Sequence, residues 1–228
     1  AKDYLTRNKL AEANKEVEAF LAIEKNKTNS EAYYVKAKVL QALSKDAALK
    51  GTVENPRQGA IDYFIKYLEM ETSIKDSTKR NIALMMDNNQ PVYDLYRDFS
   101  SEAAKDYNDN KFTEAAEHFG KSLEVFEFLR KYRLVSAVFD TTTTLYAGIS
   151  AEKAGKKDLA SKYYSKIVDN KIKSEGFIEI YKWMSDYYRQ KDDVVTAEKY
   201  IQYGRDVYPG DPFWDAFDLE MVQDKGTK

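Results

Sequence analysis

The feature of this sequence that most restricts its fold is a short pattern in which an alanine is followed, four positions later, by an aromatic or aliphatic residue. Because residues four apart lie on the same face of an α-helix, each copy predicts a helix that brings one small and one large side chain to a packed face. The copies are Ala115/Phe119, Ala160/Tyr164, Ala197/Ile201, Ala13/Val17 and Ala60/Phe64. Five copies along one chain predict a repeated helical unit.

The composition favours long helices joined by short corners. The 228 residues include 9 glycines and 4 prolines. These are too few turn formers for a β-sandwich or β-barrel, in which the chain turns about every 8–12 residues. Hydrophobic residues make up 43 % of the chain and charged residues 32 %, so the chain can bury a core and is not disordered by composition. We therefore predict an all-α fold.

Residues 145–160 carry the fullest version of the unit. Gly148 is the small residue of a first helix, Gly155 marks the turn, and Ala160 is the small residue of a second helix. In this pattern the sequence resembles the tetratricopeptide repeat (TPR), a helix–turn–helix unit of about 34 residues. Pro209 matches the family's helix-ending proline. The small residue of the family's first helix occurs at Ala37, Ala103, Gly148 and Ser185.

The resemblance implies a right-handed TPR-like solenoid of antiparallel helix pairs, with about 4.5–5 units, an extra short helix and a C-terminal capping helix. We expect a single domain over residues 1–228. Its predicted units span residues 1–28, 29–74, 90–130, 135–171 and 174–209, and the cap spans residues 212–224. The apolar side chains of the cap are expected to cover the core of the last repeat, and they are Phe213, Trp214, Phe217 and Met221.

The spacing of the repeated alanines departs from the family. Successive copies lie 47, 55, 45 and 37 residues apart, which predicts insertions between the helices. Residues 45–57 contain Gly51, Asn55 and Pro56 and are predicted to form a long corner loop. Residues 73–89 are predicted to contain an extra short helix that ends at their closing Asp-Asn-Asn.

Two further expectations concern these insertions. The short helix is expected to turn Ile82, Met85 and Met86 toward a core. Between residues 122 and 140 we expect helices longer by about three turns, which keeps their faces in phase. Asp140 precedes four threonines and is predicted to cap the helix that they open.

The sequence offers few groups for catalysis. It has one histidine, His118, no cysteine and no glycine-rich phosphate loop, so we predict no enzyme activity, no cofactor and no metal site. Glu102 and Asp106 occupy first-helix positions where the family has apolar residues. Asp192 and Asp193 adjoin a predicted turn, where solvated acids are expected. A carboxylate enzyme that uses Asp106, Asp192 and Asp193 is kept as a third hypothesis.

The charge balance gives no reason to expect nucleic acid or an anionic membrane as a partner. There are 36 basic and 38 acidic residues, for a net charge of −2. No apolar run approaches the ~18 residues of a membrane span, so we expect no membrane insertion. The chain starts at Ala1, which we interpret as removal of an upstream segment that also completes the first repeat.

The cellular location is predicted from a general similarity of sequence, not from a defined motif. The Asp-Thr-rich helix start before Leu-Tyr-x-Gly resembles TPR proteins exported by Bacteroidetes-type bacteria. This resemblance favours a periplasmic or exported location, with the cytoplasm as the alternative.

The family resemblance implies a concave groove, lined by first-helix side chains, that binds a protein or peptide. The matching positions here are mixed, because Leu145 and Ile149 are apolar, Tyr34 and Tyr107 are aromatic, and charged residues lie at the ends. This mixture suits a segment with an apolar centre and polar flanks. The candidate partner-binding residues are Tyr34, Lys38, Arg97, Tyr107, Leu145, Ile149, Lys153, Lys182 and Arg189.

The leading hypothesis is therefore a non-catalytic protein–protein interaction scaffold. Some TPR proteins grip a terminal carboxylate with Lys and Asn at two groove positions, and that pair is absent here. The alternative is a structural self-assembly or docking module of a larger cell-envelope complex, suggested by the start at Ala1 and by the aromatic cluster Phe213, Trp214 and Phe217. We expect a monomer or a weak homo-oligomer.

Overall fold

The computed structural model describes residues 1–217, and this part of the chain is all-helical, without a strand. It confirms the predicted fold class at that level. Two short 3₁₀ turns, Glu24–Thr28 and Ser77–Lys79, accompany the α-helices. The α-helices of the described residues are α1 (Lys2–Thr6), α2 (Leu10–Ala22), α3 (Ser30–Lys45), α4 (Pro56–Ser73), α5 (Ala83–Met86), α6 (Gln90–Asn108), α7 (Phe112–Lys131), α8 (Thr141–Lys153), α9 (Lys157–Asp169), α10 (Ile178–Gln190) and α11 (Val194–Val207).

The helices pack against their neighbours in sequence order. The most extensive packing joins α3 to α4, α8 to α9 and α10 to α11, and α9 also contacts α10 and α11. The two helices of each of these three pairs therefore bury their apolar stripes mainly against each other.

Corners of three residues join α6 to α7, α8 to α9 and α10 to α11. The middle residue of each corner has positive φ, namely Asn110 (59°), Gly155 (74°) and Asp192 (61°). In the second corner the backbone N–H of Lys156 donates to the carbonyl of Ala151 at 2.9 Å. Such a left-handed residue closes a helix and reverses the chain at once, so the two helices of each pair run antiparallel. The predicted turn at Gly155 is confirmed.

The chain forms two compact units, each with its own core. Unit 1 comprises residues 1–101 and 121–138, and unit 2 comprises residues 102–120 and the chain from residue 139 onward. The division falls inside α6 and inside α7. The extent of a single repeat domain and the boundaries of its units stay predictions.

The small residues of the repeated pattern are fully buried. Each has an exposed fraction of 0 %, and they are Ala13, Ala37, Ala60, Ala103, Ala115, Ala160, Ser185 and Ala197. Gly148 is the most restrictive position, because a Cβ there would overlap the ring of Tyr164 from α9. The same restriction holds at Gly204, where a Cβ would overlap the ring of Trp214. The predicted close approach of paired helices is thus confirmed in α8 and α9.

The predicted insertions are only partly as expected. Residues 46–55 form the predicted corner loop between α3 and α4, with Asn55 at φ 45° and Pro56 opening α4. The extra short helix is α5, and Asn88 and Asn89, both with positive φ, follow it.

The face that α5 presents was predicted wrongly. Ile82, Met85 and Met86 are 48 %, 62 % and 73 % exposed, whereas Leu84 is buried. The cause lies in α4, where the hydroxyl of Tyr67 donates to the carbonyl of Asn81 at 2.8 Å. A single helical turn tethered in this way can bury only one side chain.

The region between residues 122 and 140 divides its extra length between helix and connection. Helix α7 continues to Lys131, and most of residues 132–140 is irregular. Asp140 caps α8 as predicted, because its side chain accepts a hydrogen bond from the N–H of Thr143 at 3.0 Å.

The end of the described chain covers the core of unit 2. Helix α11 ends two residues before Pro209, in agreement with the predicted stop. Residues 213–217 are helical, and Trp214 and Phe217 are 1 % and 3 % exposed. The indole N–H of Trp214 donates to the carbonyl of Tyr208 at 3.0 Å. Met221 and the rest of the predicted cap lie outside the described residues.

Replacing Gly148 with alanine tests the close approach of α8 and α9. We expect Gly148→Ala to lower the free energy of unfolding by about 1–3 kcal/mol, because the buried ring of Tyr164 must move. This loss occurs although alanine is favoured over glycine inside a helix by about 0.5–1 kcal/mol. Urea unfolding followed by circular dichroism measures the change.

Gly51→Ala is the matched control. Gly51 lies in the exposed corner loop, and a Cβ there meets no atom within 4 Å. Its replacement should leave stability within about 0.5 kcal/mol of the parent chain. A Gly148→Ala variant as stable as the Gly51→Ala variant would contradict the close approach.

Candidate functional site

A cleft of about 840 Å³ opens in unit 2 between α8 and α10, the first helices of two successive pairs. We call it the α8/α10 cleft. It is lined by Leu145, Ile149 and Glu152 of α8, Tyr164 of α9, the turn residues Glu175, Gly176 and Phe177, the α10 residues Glu179, Ile180, Lys182, Trp183 and Asp186, and Phe213. The structure therefore brings together three of the predicted partner-binding residues, Leu145, Ile149 and Lys182.

The walls of the α8/α10 cleft are apolar, and contacts within the chain hold their side chains in place. Leu145, Ile149 and Trp183 are half-buried, so each retains accessible apolar surface. The Trp183 ring stacks on Tyr187 with centroids 5.0 Å apart and planes at 8°. It also meets Tyr164 edge-on at 5.0 Å. These contacts fix the indole without the help of a partner.

Sequence reasoning missed Trp183. The predicted partner-binding residues include Lys182 but not the next residue, Trp183, which carries the largest ring of the cleft. The composition held a signal, because the chain has only two tryptophans and tryptophan is enriched at the energetic centres of interfaces.

The electrostatics of the cleft are dominated by carboxylates. Four carboxylates line it, against the single ammonium group of Lys182. That ammonium lies 3.2 Å from a carboxylate oxygen of Glu179 and 3.1 Å from one of Asp211. Partial burial lowers the pKa of Lys182, but the hydrogen bonds that its ammonium group donates to Asp211 and Glu179 outweigh burial and raise the pKa overall. Lys182 is therefore charged and already paired.

Tyr164 connects the floor of the cleft to its rim. Its hydroxyl donates to a carboxylate oxygen of Glu152 at 2.7 Å. The pKa of Tyr164 lies well above its ordinary value. Burial of the phenol is the larger cause and this hydrogen bond is the second. The phenol is therefore neutral at neutral pH and orients Glu152 through this hydrogen bond.

Two other predicted residues of unit 2 lie together outside the cleft lining. Tyr107 packs edge-on against Phe112 and Tyr146, with centroids 5.5 Å from each. The ammonium group of Lys153 lies 5.5 Å from the Tyr107 ring and 4.9 Å from the Phe112 ring. Tyr107 and Lys153 thus form a cation–π cluster with each other.

Arg189 adjoins the cleft through Asp186. Its guanidinium donates to a carboxylate oxygen of Asp186 at 2.9 Å and lies 5.1 Å from the centroid of the Phe217 ring. Arg189 therefore positions one rim carboxylate and packs on the end of the described chain.

The remaining predicted residues belong to unit 1. The ring of Tyr34 is 4 % exposed and packs against Phe64 and Tyr67. Its hydroxyl donates to Asp87, and the ammonium group of Lys38 lies 2.6 Å from the same carboxylate. These contacts hold the segment after α5 on α3. The Tyr34 ring therefore offers little surface to a partner.

Arg97 is exposed and pairs with Asp94 at 2.6 Å. The partner-contact roles of Tyr34, Lys38 and Arg97 stay predictions.

The titratable groups considered for catalysis have structural partners. Nδ1 of His118 lies 2.7 Å from a carboxylate oxygen of Asp106, and its Nε2 lies 3.9 Å from Glu102. A polar ring from α7 therefore faces both Glu102 and Asp106. Asp193 caps α11 through the N–H of Thr196 at 3.1 Å.

Searches for two other kinds of site give plain results. In residues 1–217, histidine, cysteine and acidic side chains do not gather in threes or more in a way that would hold a metal ion. None of the helices in that range is both long and apolar enough to cross a membrane.

Comparison of the sequence with models of protein families, and with curated proteins, finds no match. The class of this protein is therefore defined by its fold and its cleft alone. It is an all-helical protein of sequentially packed helices, with an apolar, acid-rimmed cleft in unit 2.

The contact between Tyr34 and Asp87 predicts a contribution to the free energy of unfolding that depends on pH. Tyr34→Phe keeps the ring and removes the hydroxyl, so we expect the free energy of unfolding to fall by about 1 kcal/mol at neutral pH. Hydrogen bonds from Lys38 and Tyr34 lower the pKa of Asp87 in the folded chain. The stabilisation is therefore complete above the unfolded pKa of about 3.9 and is lost as the pH falls through the lower folded value.

Urea unfolding between neutral and acidic pH measures the difference between the parent chain and the variant. Tyr33→Phe is the control, because the Tyr33 hydroxyl donates to the carbonyl of Lys27 at 3.1 Å and no carboxylate takes part. Its effect should not change with pH. If the loss caused by Tyr34→Phe were equally independent of pH, the assigned role of Asp87 would be refuted.

Proposed function

We propose that this protein is a TPR-type helical-repeat scaffold that binds a segment of a partner protein in the α8/α10 cleft and catalyses no reaction. The right-handed TPR-like solenoid is part of this proposal. Its support is local: three-residue antiparallel corners, buried small residues at the repeated positions, and the glycine-mediated approach of α8 to α9.

One observation carries the proposed function. Leu145, Ile149 and Trp183 keep accessible apolar surface inside a concave site instead of packing it into the core. Apolar surface left in water costs about 25 cal/mol per Å², which a partner side chain that covers it would recover. A concave apolar site with a polar rim is the usual form of a binding site for small ligands or for anchor side chains of a partner.

The chemistry of the cleft favours binding over catalysis. Carboxylate catalysis needs one carboxyl group whose pKa is raised. The aspartates with clearly shifted pKa values in the described chain are shifted downward, and Asp211, beside the cleft, is one of them. The N–H of Phe213 and the ammonium group of Lys182 stabilise its charged form. The third hypothesis, a carboxylate enzyme, is therefore not favoured.

The alternative function, self-assembly or docking in a larger cell-envelope complex, keeps only one of its two supports, the start at Ala1. The aromatic cluster that suggested it includes Trp214 and Phe217, and both are buried in unit 2. A periplasmic or exported location, with the cytoplasm as the alternative, and a monomeric or weakly oligomeric state remain parts of the proposal.

The experiment changes the apolar wall of the cleft. Seven-residue random peptides displayed on phage are selected on the full chain, and the recovered peptides are synthesised and titrated by fluorescence anisotropy. Leu145→Asp combined with Ile149→Asp should weaken their binding at least about tenfold, because a carboxylate replaces the apolar contact. The two side chains are half-buried, so circular dichroism checks that the variant is folded.

Val195→Asp is the matched control. Val195 lies on α11 and is 79 % exposed, outside the cleft lining. The same change of an aliphatic side chain to aspartate should leave peptide binding unchanged there. Peptides that bind the parent, the control and the folded cleft variant equally well would overturn the proposed function.

A further inference from the structure

We propose that the segment bound in the α8/α10 cleft is cationic and apolar, with a lysine or arginine beside an aliphatic or aromatic side chain. This inference rests on the proposed function and adds the chemical class of the partner. It comes from the charges of the cleft rather than from its shape.

The lining of the cleft carries an excess of negative charge. Glu152, Glu175, Glu179 and Asp186 face Lys182 alone among the lining residues. Asp211 pairs with Lys182 and Arg189 pairs with Asp186, so these two neighbours add one charge of each sign and leave the same excess. Glu175 and Glu179 are exposed, so an incoming group can reach both carboxylates, and Glu179 shares the ammonium group of Lys182 with Asp211.

The apolar walls define where the cation of the partner is placed. The stem of a lysine or arginine covers apolar surface while its charged end stays near water and carboxylates. Leu145 and Ile149 provide that surface on α8, and the exposed glutamates lie along α10 and the turn before it. Trp183 lines the same cleft, and tryptophan is the best aromatic partner for a cation.

The size of the cleft suits a short segment. About 840 Å³ lies within the range of about 300–1,000 Å³ of sites that enclose a small ligand, and it accommodates a few side chains. An acidic segment of this length would bring like charges together without a cation to separate them, because Lys182 is already paired with Glu179 and Asp211. Electrostatic complementarity of this kind selects the partner more than it adds affinity.

The test uses the same phage library, selected in parallel on the parent chain and on the Leu145→Asp, Ile149→Asp variant. Peptides that bind only the parent define the cleft-dependent set. We expect this set to be enriched in lysine or arginine next to apolar residues. A cleft-dependent set that is acidic or free of basic residues would overturn the charge inference and leave the proposed function standing. An empty cleft-dependent set would overturn both.

A charge-reversal variant provides the second measurement. For a recovered basic peptide, Glu175→Lys with Glu179→Lys should weaken binding about tenfold or more, and raising the salt from about 50 mM to about 300 mM should weaken binding to the parent. Glu54→Lys with Glu114→Lys is the matched control, since both glutamates are exposed, lie outside the cleft and change the net charge equally. Equal binding to both variants would overturn the inference.

Discussion

The absence of a side chain at Gly148 sets the distance between α8 and α9, and the other features of the cleft depend on that distance. Tyr164 fills the space that a Cβ would occupy. In that position its hydroxyl reaches Glu152 on α8, and its ring supports the edge of Trp183 on α10. Because Gly148 has no Cβ, Tyr164 can position both a carboxylate of the rim and an aromatic side chain of the wall. The packing of α8 on α9 therefore determines part of the chemistry of the cleft.

Much of the fold could be predicted from the sequence, because small residues at helix contacts, capping aspartates and turn glycines act through local geometry. Ala160, Asp140 and Gly155 all play the predicted parts. The orientation of α5 could not be predicted in the same way. A helix of one turn has no periodicity to interpret, and Asn81, just before it, is held by Tyr67 of α4, a contact that the local pattern does not reveal.

The candidate site was predicted in part for similar reasons. Leu145 and Ile149 were identified because they belong to residues 145–160, the fullest version of the repeated unit. Tyr34 was assigned to the same surface, yet the segment after α5 brings Asp87 to its hydroxyl and the ring packs in the core of unit 1. Glu102 and Asp106 looked out of place in the sequence because their partner, His118, belongs to another helix.

The three-residue corners have a consequence for which side chains fit the cleft. Helices α8 and α9 are locked together by one such corner, and α10 and α11 by another, so each hairpin keeps its internal geometry. The two walls of the cleft belong to different hairpins, joined by residues 170–177, where Lys171 and Gly176 both have positive φ. The contact of Tyr164 with Trp183 joins the two hairpins across this connection, so the distance between the walls is set within the chain and limits the bulk of the side chains that fit between them.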